Sequence, residues 1–244
     1  MVRRMIDIHT HILPHFDDGA KDVEEALKMI EYLERQKVHT AICTPHFDPR
    51  KSSIEEFSSK REKAFQAMYA SKITLISGSE TLYHDLLYQY SDLDHICINN
   101  TKYLLLELPY KDRWSDYDMK CIIKLMNLFN IIPIIAHIER YKFLWKNKKN
   151  IRQLMNLGCL MQINANTIID RKQRKMALHY IKKGYIDVIG SDCHNMSQRP
   201  PNLKDAFVII EKEIGNYYCD LLQHNADSII QGIMIRNDTG RFMI

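Results

Sequence analysis

Residues 103–108 read Tyr-Leu-Leu-Leu-Glu-Leu, apolar at consecutive positions with one carboxylate, Glu107, set among them. A strand with one wet face alternates apolar and polar residues. One buried on both faces is apolar throughout, as in a parallel sheet covered by helices. Six further short apolar runs read the same way: Met5–Ile8, His39–Thr44, Ile73–Ser77, Ile132–Ala136, Leu160–Asn164 and Ile186–Gly190. Between them apolar residues fall at helical spacing, as in Val23, Ala26, Leu27, Ile30 and Leu33, or Met119, Ile122, Ile123, Met126 and Phe129. A third such set, Leu203, Ala206, Phe207, Ile210 and Ile214, follows the last strand. Asp22-x-x-Glu25 and Ser53-x-x-Glu56 have the form of capping boxes and mark helix starts. Seven strands alternating with helices define an α/β chain, and both an open doubly wound sheet and a closed barrel fit that order. In either, functional residues gather at the C-terminal ends of the strands.

Nothing in the composition divides the chain. Its 244 residues suit one barrel-sized unit, no flexible linker or internal repeat interrupts them, and residues 1–244 read as a single domain. Gly and Pro total only 15, which excludes a low-complexity or collagenous chain. The net charge of +4 is too mild to imply nucleic acid by itself. The longest charge-free stretch, Gln153–Ile169, is broken by Asn, Gly and Gln, so no membrane insertion is expected. The N-terminus lacks an apolar export segment, which points to a cytoplasmic protein. The six cysteines are scattered without a C-x-x-C pair and read as free thiols.

The polar residues hardest to explain as surface lie at the strand ends. Strand one runs into Asp7-Ile8-His9-Thr10-His11 and then Asp17-Asp18-Gly19; strand two ends in Thr44-Pro45-His46, and strand three in Gly78-Ser79-Glu80. Glu107 lies in strand four, His137-Ile138-Glu139-Arg140 ends strand five, and Ser191-Asp192-Cys193-His194 ends strand seven. A His-x-His in an extended strand puts both rings on one face. Taken singly, His46 or His137 fits a structural histidine and Glu107 a buried acid paired with an arginine. Taken jointly, six strand ends each supply a metal-ligating group, and burying so many ionisable groups unpaired would cost several kcal/mol apiece. The pattern points to divalent metal.

These stretches resemble the polymerase-and-histidinol-phosphatase (PHP) superfamily and, within it, the CpsB/CapC-type bacterial protein-tyrosine phosphatases. The matching segments are DIHTHILPHFDDG (Asp7–Gly19), TPH (Thr44–His46), GSE (Gly78–Glu80), HIERY (His137–Tyr141), SDCHN (Ser191–Asn195) and RPP (Arg199–Pro201), in the family's order. The resemblance implies a distorted (β/α)7 TIM-like barrel, the PHP fold, holding three divalent ions, usually manganese. It implies His9, His11, Asp18, His46, Glu80, Glu107, His137, Asp192 and His194 as ligands, with Glu80 bridging two ions, and Arg140 and Arg199 as binders of substrate phosphate. The mixed nitrogen and oxygen set also suits iron, zinc or magnesium. The implied substrate is the phosphorylated tyrosine-rich tail of a bacterial tyrosine autokinase controlling capsule or exopolysaccharide synthesis. Two departures stand out: His15, which stands where relatives commonly have Gly and could add an incidental ligand, and Phe47-Asp48 where some members carry basic residues.

Charge supports a phosphate substrate. Three divalent ions bring six positive charges, and the carboxylates of Asp18, Glu80, Glu107 and Asp192 remove four, leaving a surplus that matches a phosphate monoester dianion. Coordination lowers the pKa of water from 15.7 to about 7, so the expected reaction is in-line attack by metal-bound hydroxide. Cys193…Arg199 satisfies the C-x5-R form of cysteine-dependent tyrosine phosphatases, but the loop has no glycine and its neighbours are already ligands. Competing readings are a small-molecule phosphatase of the histidinol-phosphate type and a nucleic-acid phosphoesterase. The latter rests on the basic segments Lys142–Arg152 and Arg171–Lys175, which read more simply as solvated helix faces. Nucleic acid is therefore not the expected partner, and a homo-oligomer is compatible with the sequence.

Overall fold

A computed structural model of the chain describes residues 5–68 and 71–235. In chain order the elements are β1 (Met5–Thr10), α1 (Val23–Arg35), β2 (Val38–Cys43), β3 (His46–Phe47), α2 (Ile54–Gln66), β4 (Thr74–Ser77), β5 (Glu80–Leu82) and β6 (Tyr103–Glu107). There follow α3 (Asp116–Phe129), β7 (Ile132–Ile135), α4 (Lys142–Trp145), α5 (Lys148–Asn156), β8 (Leu160–Asn164), α6 (Ala165–Ile169), α7 (Arg171–Lys182), β9 (Val188–Gly190), α8 (Leu203–Ile214) and α9 (Asn216–Gln231).

All strand pairings are parallel, in the orders β1-β2-β4 and β3-β5-β6-β7-β8-β9. The two sheets are one surface, because β3 continues β2 past Thr44-Pro45 and β5 continues β4 past Gly78-Ser79. At that joint the Glu80 N–H lies 3.3 Å and 3.1 Å from the Thr44 and Pro45 carbonyls. The ring closes where His11 N–H donates to the Cys193 carbonyl (2.9 Å) and Asp192 N–H to the His9 carbonyl (2.8 Å). The result is a distorted (β/α)7 barrel, as the family resemblance implied, with two of its seven strands broken. Those breaks are why the sequence shows seven runs and the fold nine segments: Pro45 cannot donate to a ladder, and β3 and β5 are too short to make an apolar run.

The barrel is apolar below and polar above. Ile6, Ile8, Tyr103, Leu105, Ile134, Leu160 and Val188 meet in an inner cluster that Ala226 and Ile229 of α9 complete. Gln223 of α9 accepts the Ile6 N–H at 2.6 Å and donates to the Ile6 carbonyl at 3.3 Å, pinning the helix to the start of β1. A register shift in β1 between Asp7 and Thr10 changes which residues face inward, so Ile8 joins the apolar cluster while His9 reaches the polar end. Gly190 makes room for this, since a Cβ there would lie 2.4 Å from the His9 Cβ.

Helix starts follow the sequence signals in part. Ser53 and Glu56 form a reciprocal capping box, and so do Ser115 and Asp118, a pair the sequence reading did not mark. Asp22 caps α1 by accepting the Glu25 N–H at 2.8 Å, but the Glu25 carboxylate accepts from Lys21 N–H instead of returning to Asp22.

Asp187, at the entry to β9, is buried and accepts the Met161 N–H at 2.8 Å; burial pushes its carboxyl up to about 7. Its folded-state value therefore lies above the ordinary carboxylate value near 4. The stability tied to its protonation is complete below about pH 4 and is lost as pH rises through about 7. Asp187→Asn keeps an acceptor for Met161 without the charge. Urea unfolding should show the variant gaining on the parent by on the order of 2 kcal/mol between pH 5 and 8. A stability difference that does not change with pH contradicts this assignment.

Candidate metal centre and active site

At the C-terminal end of the barrel five imidazoles crowd together. Ring centroids lie 5.3 Å apart for His9–His11, 5.9 Å for His9–His137, 4.6 Å for His11–His46 and 3.9 Å for His11–His194. Buried Glu80 sits among them. Its Oε2 lies 3.2 Å from His9 Nε2, 3.2 Å from His11 Nε2 and 3.1 Å from His46 Nδ1, and its Oε1 lies 2.6 Å from His137 Nε2. Asp192 Oδ1 is 3.5 Å from His9 Nε2 and 3.6 Å from both His11 Nε2 and His194 Nδ1. Asp18 Oδ1, more exposed, faces His46 at 3.4 Å and His194 at 3.5 Å, and Glu107 Oε1 lies 3.8 Å from His137. All nine residues singled out as ligands thus meet at one place.

The backbone is bent to achieve this. His137 and Asp192 have φ of 33° and 54°, in the left-handed region that non-glycine residues seldom occupy, where β7 and β9 give way to loops. Such conformations cost of order 1–3 kcal/mol each and persist where surrounding contacts fix them. For His137 that contact is its N–H, donating to Gln162 Oε1 at 2.6 Å.

A second layer holds the first. Asp17 Oδ2 accepts from His11 Nδ1 at 2.7 Å and from the His46 N–H at 2.9 Å, and its Oδ1 accepts from the Gly19 N–H at 3.0 Å. Gln162 Oε1 lies 3.4 Å from His9 Nδ1, Gln162 Nε2 donates to Asn164 Oδ1 at 2.9 Å, and Asn164 Nδ2 donates to Asp192 Oδ2 at 2.6 Å. Asp7 Oδ1 accepts the Ser191 N–H at 2.8 Å, tying β1 to the loop that carries Asp192. The sequence reading assigned no role to Asp17, Gln162 or Asn164. Gln162 and Asn164 did carry a signal, as amides in an otherwise apolar buried strand.

Electrostatics follow from this packing. Burial disfavours charge on Glu80, yet the surrounding imidazoles hold it well below the carboxylate range. Burial likewise opposes a charged His11, but Asp17 and Glu80 outweigh it and lift the ring to about 10. Burial and the neighbouring His11 bring His194 down to about 3, while burial and the charge of Glu80 raise Glu107 to about 7.

Ligand atoms within 4.8 Å of one another define three overlapping groups: His11, Asp18, His46 and His194; His9, His11 and Glu80; His46, Glu80 and Glu107. Divalent metal fits them. His9 Nε2 and His11 Nε2 lie 3.2 Å apart with both facing Glu80, while His194 Nε2 and Asp192 Oδ1 are buried without a hydrogen-bond partner among the described residues. Imidazole nitrogens mixed with carboxylate oxygens suit first-row divalent ions. His15 lies outside these groups: it is exposed, and its N–H donates to the Ala20 carbonyl at 3.0 Å.

Arg140 and Arg199 both reach Asp192 Oδ2, Arg199 at 2.5 Å. They line a polar pocket of about 350 Å3 with Asn166 and Gln173, while a larger groove of about 740 Å3 opens past Phe16, Asp18, His46 and Glu107. Cys193, by contrast, is fully buried and burial pushes its thiol well above the usual range, so the C-x5-R form here presents no nucleophile.

Comparison with known proteins places this centre in context. Residues 5–231 match the family model described as capsular polysaccharide synthesis, CpsB/CapC. The tyrosine-protein phosphatase CpsB of Streptococcus agalactiae is 32% identical over 246 residues, covering 93% of this chain and 98% of that protein. Tyrosine-protein phosphatase YwqE of Bacillus subtilis is 28% identical over 244 residues, covering 96% and 93%. Crystal structures of YwqE from Bacillus subtilis and CpsB from Streptococcus pneumoniae, described as metal-dependent tyrosine phosphatases, include a chain that superposes with a TM-score of 0.82 at 26% identity, over 97% of this chain and 98% of that one. A phosphotriesterase homology protein from Escherichia coli shares the fold alone, with a TM-score of 0.58 at 12% identity over 93% and 98% of the two chains. The chain belongs to the CpsB/CapC family.

Proposed function

We propose that this chain is a metal-dependent protein-tyrosine phosphatase of capsule or exopolysaccharide synthesis, acting in the cytoplasm as one domain on the phosphotyrosine tail of a bacterial tyrosine autokinase. The observation that carries the reading is the convergence of five imidazoles and four carboxylates beside two arginines. His9, His11, Asp18, His46, Glu80, Glu107, His137, Asp192 and His194 would hold the ions, three in number and manganese by preference, with Glu80 shared between two. When bound, divalent ions lower the pKa of coordinated water and offset negative charge on phosphate oxygens.

The chain's own groups do the rest. Arg140 and Arg199 present guanidinium forks to the phosphate, and each is aimed by its contact with Asp192. Asn164 Nδ2 donates to the same Asp192 Oδ2 that both arginines reach. Tyrosine leaves as a phenolate with a pKa near 10, so it needs little help from a general acid, and the reading assigns none. Asp17 acts on the His11 ring and on the backbone N–H of His46 at the start of β3, helping to hold both residues beside Glu80.

The reading is tested by turnover of phosphotyrosine and phosphoserine peptides in protein stripped by chelation and then reloaded with manganese. Activity should vanish on stripping, return on reloading and favour phosphotyrosine. Arg140→Ala should cut reloaded turnover by about 10²–10³ while metal content stays at the parent level. Undiminished turnover in stripped protein, or loss of metal in that variant, contradicts the assignment. Asp17→Asn should weaken divalent affinity by about 10–100-fold in calorimetric titration with the fold intact. Unchanged affinity would remove Asp17 from its proposed role.

A further inference from the structure

Charge is unevenly distributed along this chain. Residues 141–186 hold eleven Lys or Arg and one carboxylate, Asp170, leaving 23 basic against 29 acidic residues elsewhere (34 less 11, 30 less 1). The segment therefore carries a net +10, and the remainder a net −6. These cations lie mainly on α4, α5 and α7, and most are exposed. The helices form one surface: Lys148 Nζ lies 3.2 Å from His179 Nε2, the Trp145 and Tyr180 rings meet at 5.0 Å, and Tyr180 Oη donates to the Trp145 carbonyl at 2.8 Å. Among the described residues none of the eleven makes an ion pair. Such a face repels itself and is stabilised by an anionic partner.

Its position relates it to the active site. Lys142 follows Arg140 by two residues, and the polar pocket lined by Arg140 and Arg199 extends to Gln173 on α7, whose neighbours Lys172 and Lys175 are exposed. Resting on the phosphatase reading above, we propose that α4, α5 and α7 form a docking track for acidic residues flanking the phosphotyrosine of a protein substrate. Two observations favour an acidic polypeptide over other polyanions. Of the aromatics among the cations, Tyr141, Phe143, Trp145 and Tyr180 are buried and Tyr185 is half-buried, so the track has no fully exposed ring on which bases could stack. No large apolar side chain is exposed between 141 and 186, as insertion into a membrane surface would require.

The test compares KM and kcat for a phosphotyrosine peptide flanked by glutamates, the same peptide flanked by glutamines, and p-nitrophenyl phosphate, which has no flanking residues to engage the lysines. Manganese-loaded parent, K172E/K175E and K146E/K149E are assayed. The acidic peptide should have the lower KM in the parent. Each charge reversal should raise that KM by about three- to tenfold with kcat little altered, and added salt should narrow the gap between peptides. The neutral peptide and the small ester report fold and metal loading. Equal KM for the two peptides in the parent, or a variant that shifts both alike, overturns the proposal. So does loss of binding to single-stranded DNA or phosphatidylglycerol vesicles with the peptide preference intact. If no phosphotyrosine ester is hydrolysed, the phosphatase reading fails separately. Fluorescence anisotropy of the unphosphorylated acidic peptide then decides the track: weaker binding by the variants supports it, and equal binding overturns it.

Discussion

One buried carboxylate organises the top of this barrel. Glu80 faces His9, His11, His46 and His137 within 3.2 Å, and a lone carboxylate in so dry a place would be costly without them. The four rings arrive on three different strands, so their meeting depends on strand register and on ring closure between β9 and β1. The fold serves the centre by fixing those registers. The break after Pro45 and the break after Ser79 free the His46 and Glu80 segments to pair as β3 and β5, with His46 directly beside Glu80.

The centre also shows what the rest of the chain must supply. A cluster of bases and acids with conflicting proton affinities is soft unless its members are held from behind. Asp17 fixes His11, Gln162 fixes His9 and His137, and Asn164 fixes Asp192. These contacts run without a gap from the loop after β1 through β8 to the loop after β9. Below them the apolar interior, closed by α9, keeps the strands from sliding.

Much of this was legible in the sequence, for reasons that can be stated. A strand buried on both faces shows itself by composition alone, and Tyr103–Leu108 does so. Ligands at strand ends show themselves because His and Asp are out of place next to such runs. What the sequence hid is cooperative. The two-residue strands β3 and β5 exist only because a neighbour offers a ladder, and the register shift in β1 depends on its pairing with β2. Strand boundaries moved for the same reason: Ile186 and Asp187 precede β9, and Val38 joins β2, where pairing and not hydropathy sets the limit. His15, noted as a departure from the family pattern, stands exposed outside the ligand groups, which its type and position in the sequence could not show. The second layer escaped because an amide such as Gln162 is distinctive only once its partners are known.

The account stands or falls on cations being gripped at this one place. Anomalous diffraction at the manganese edge, from crystals grown with the metal, measures that directly. The predicted map has strong peaks among His9, His11, His46, Glu80, His137, Asp192 and His194, and all disappear after chelation. A map with no peak there, or with its ions bound only elsewhere on the protein, would contradict it.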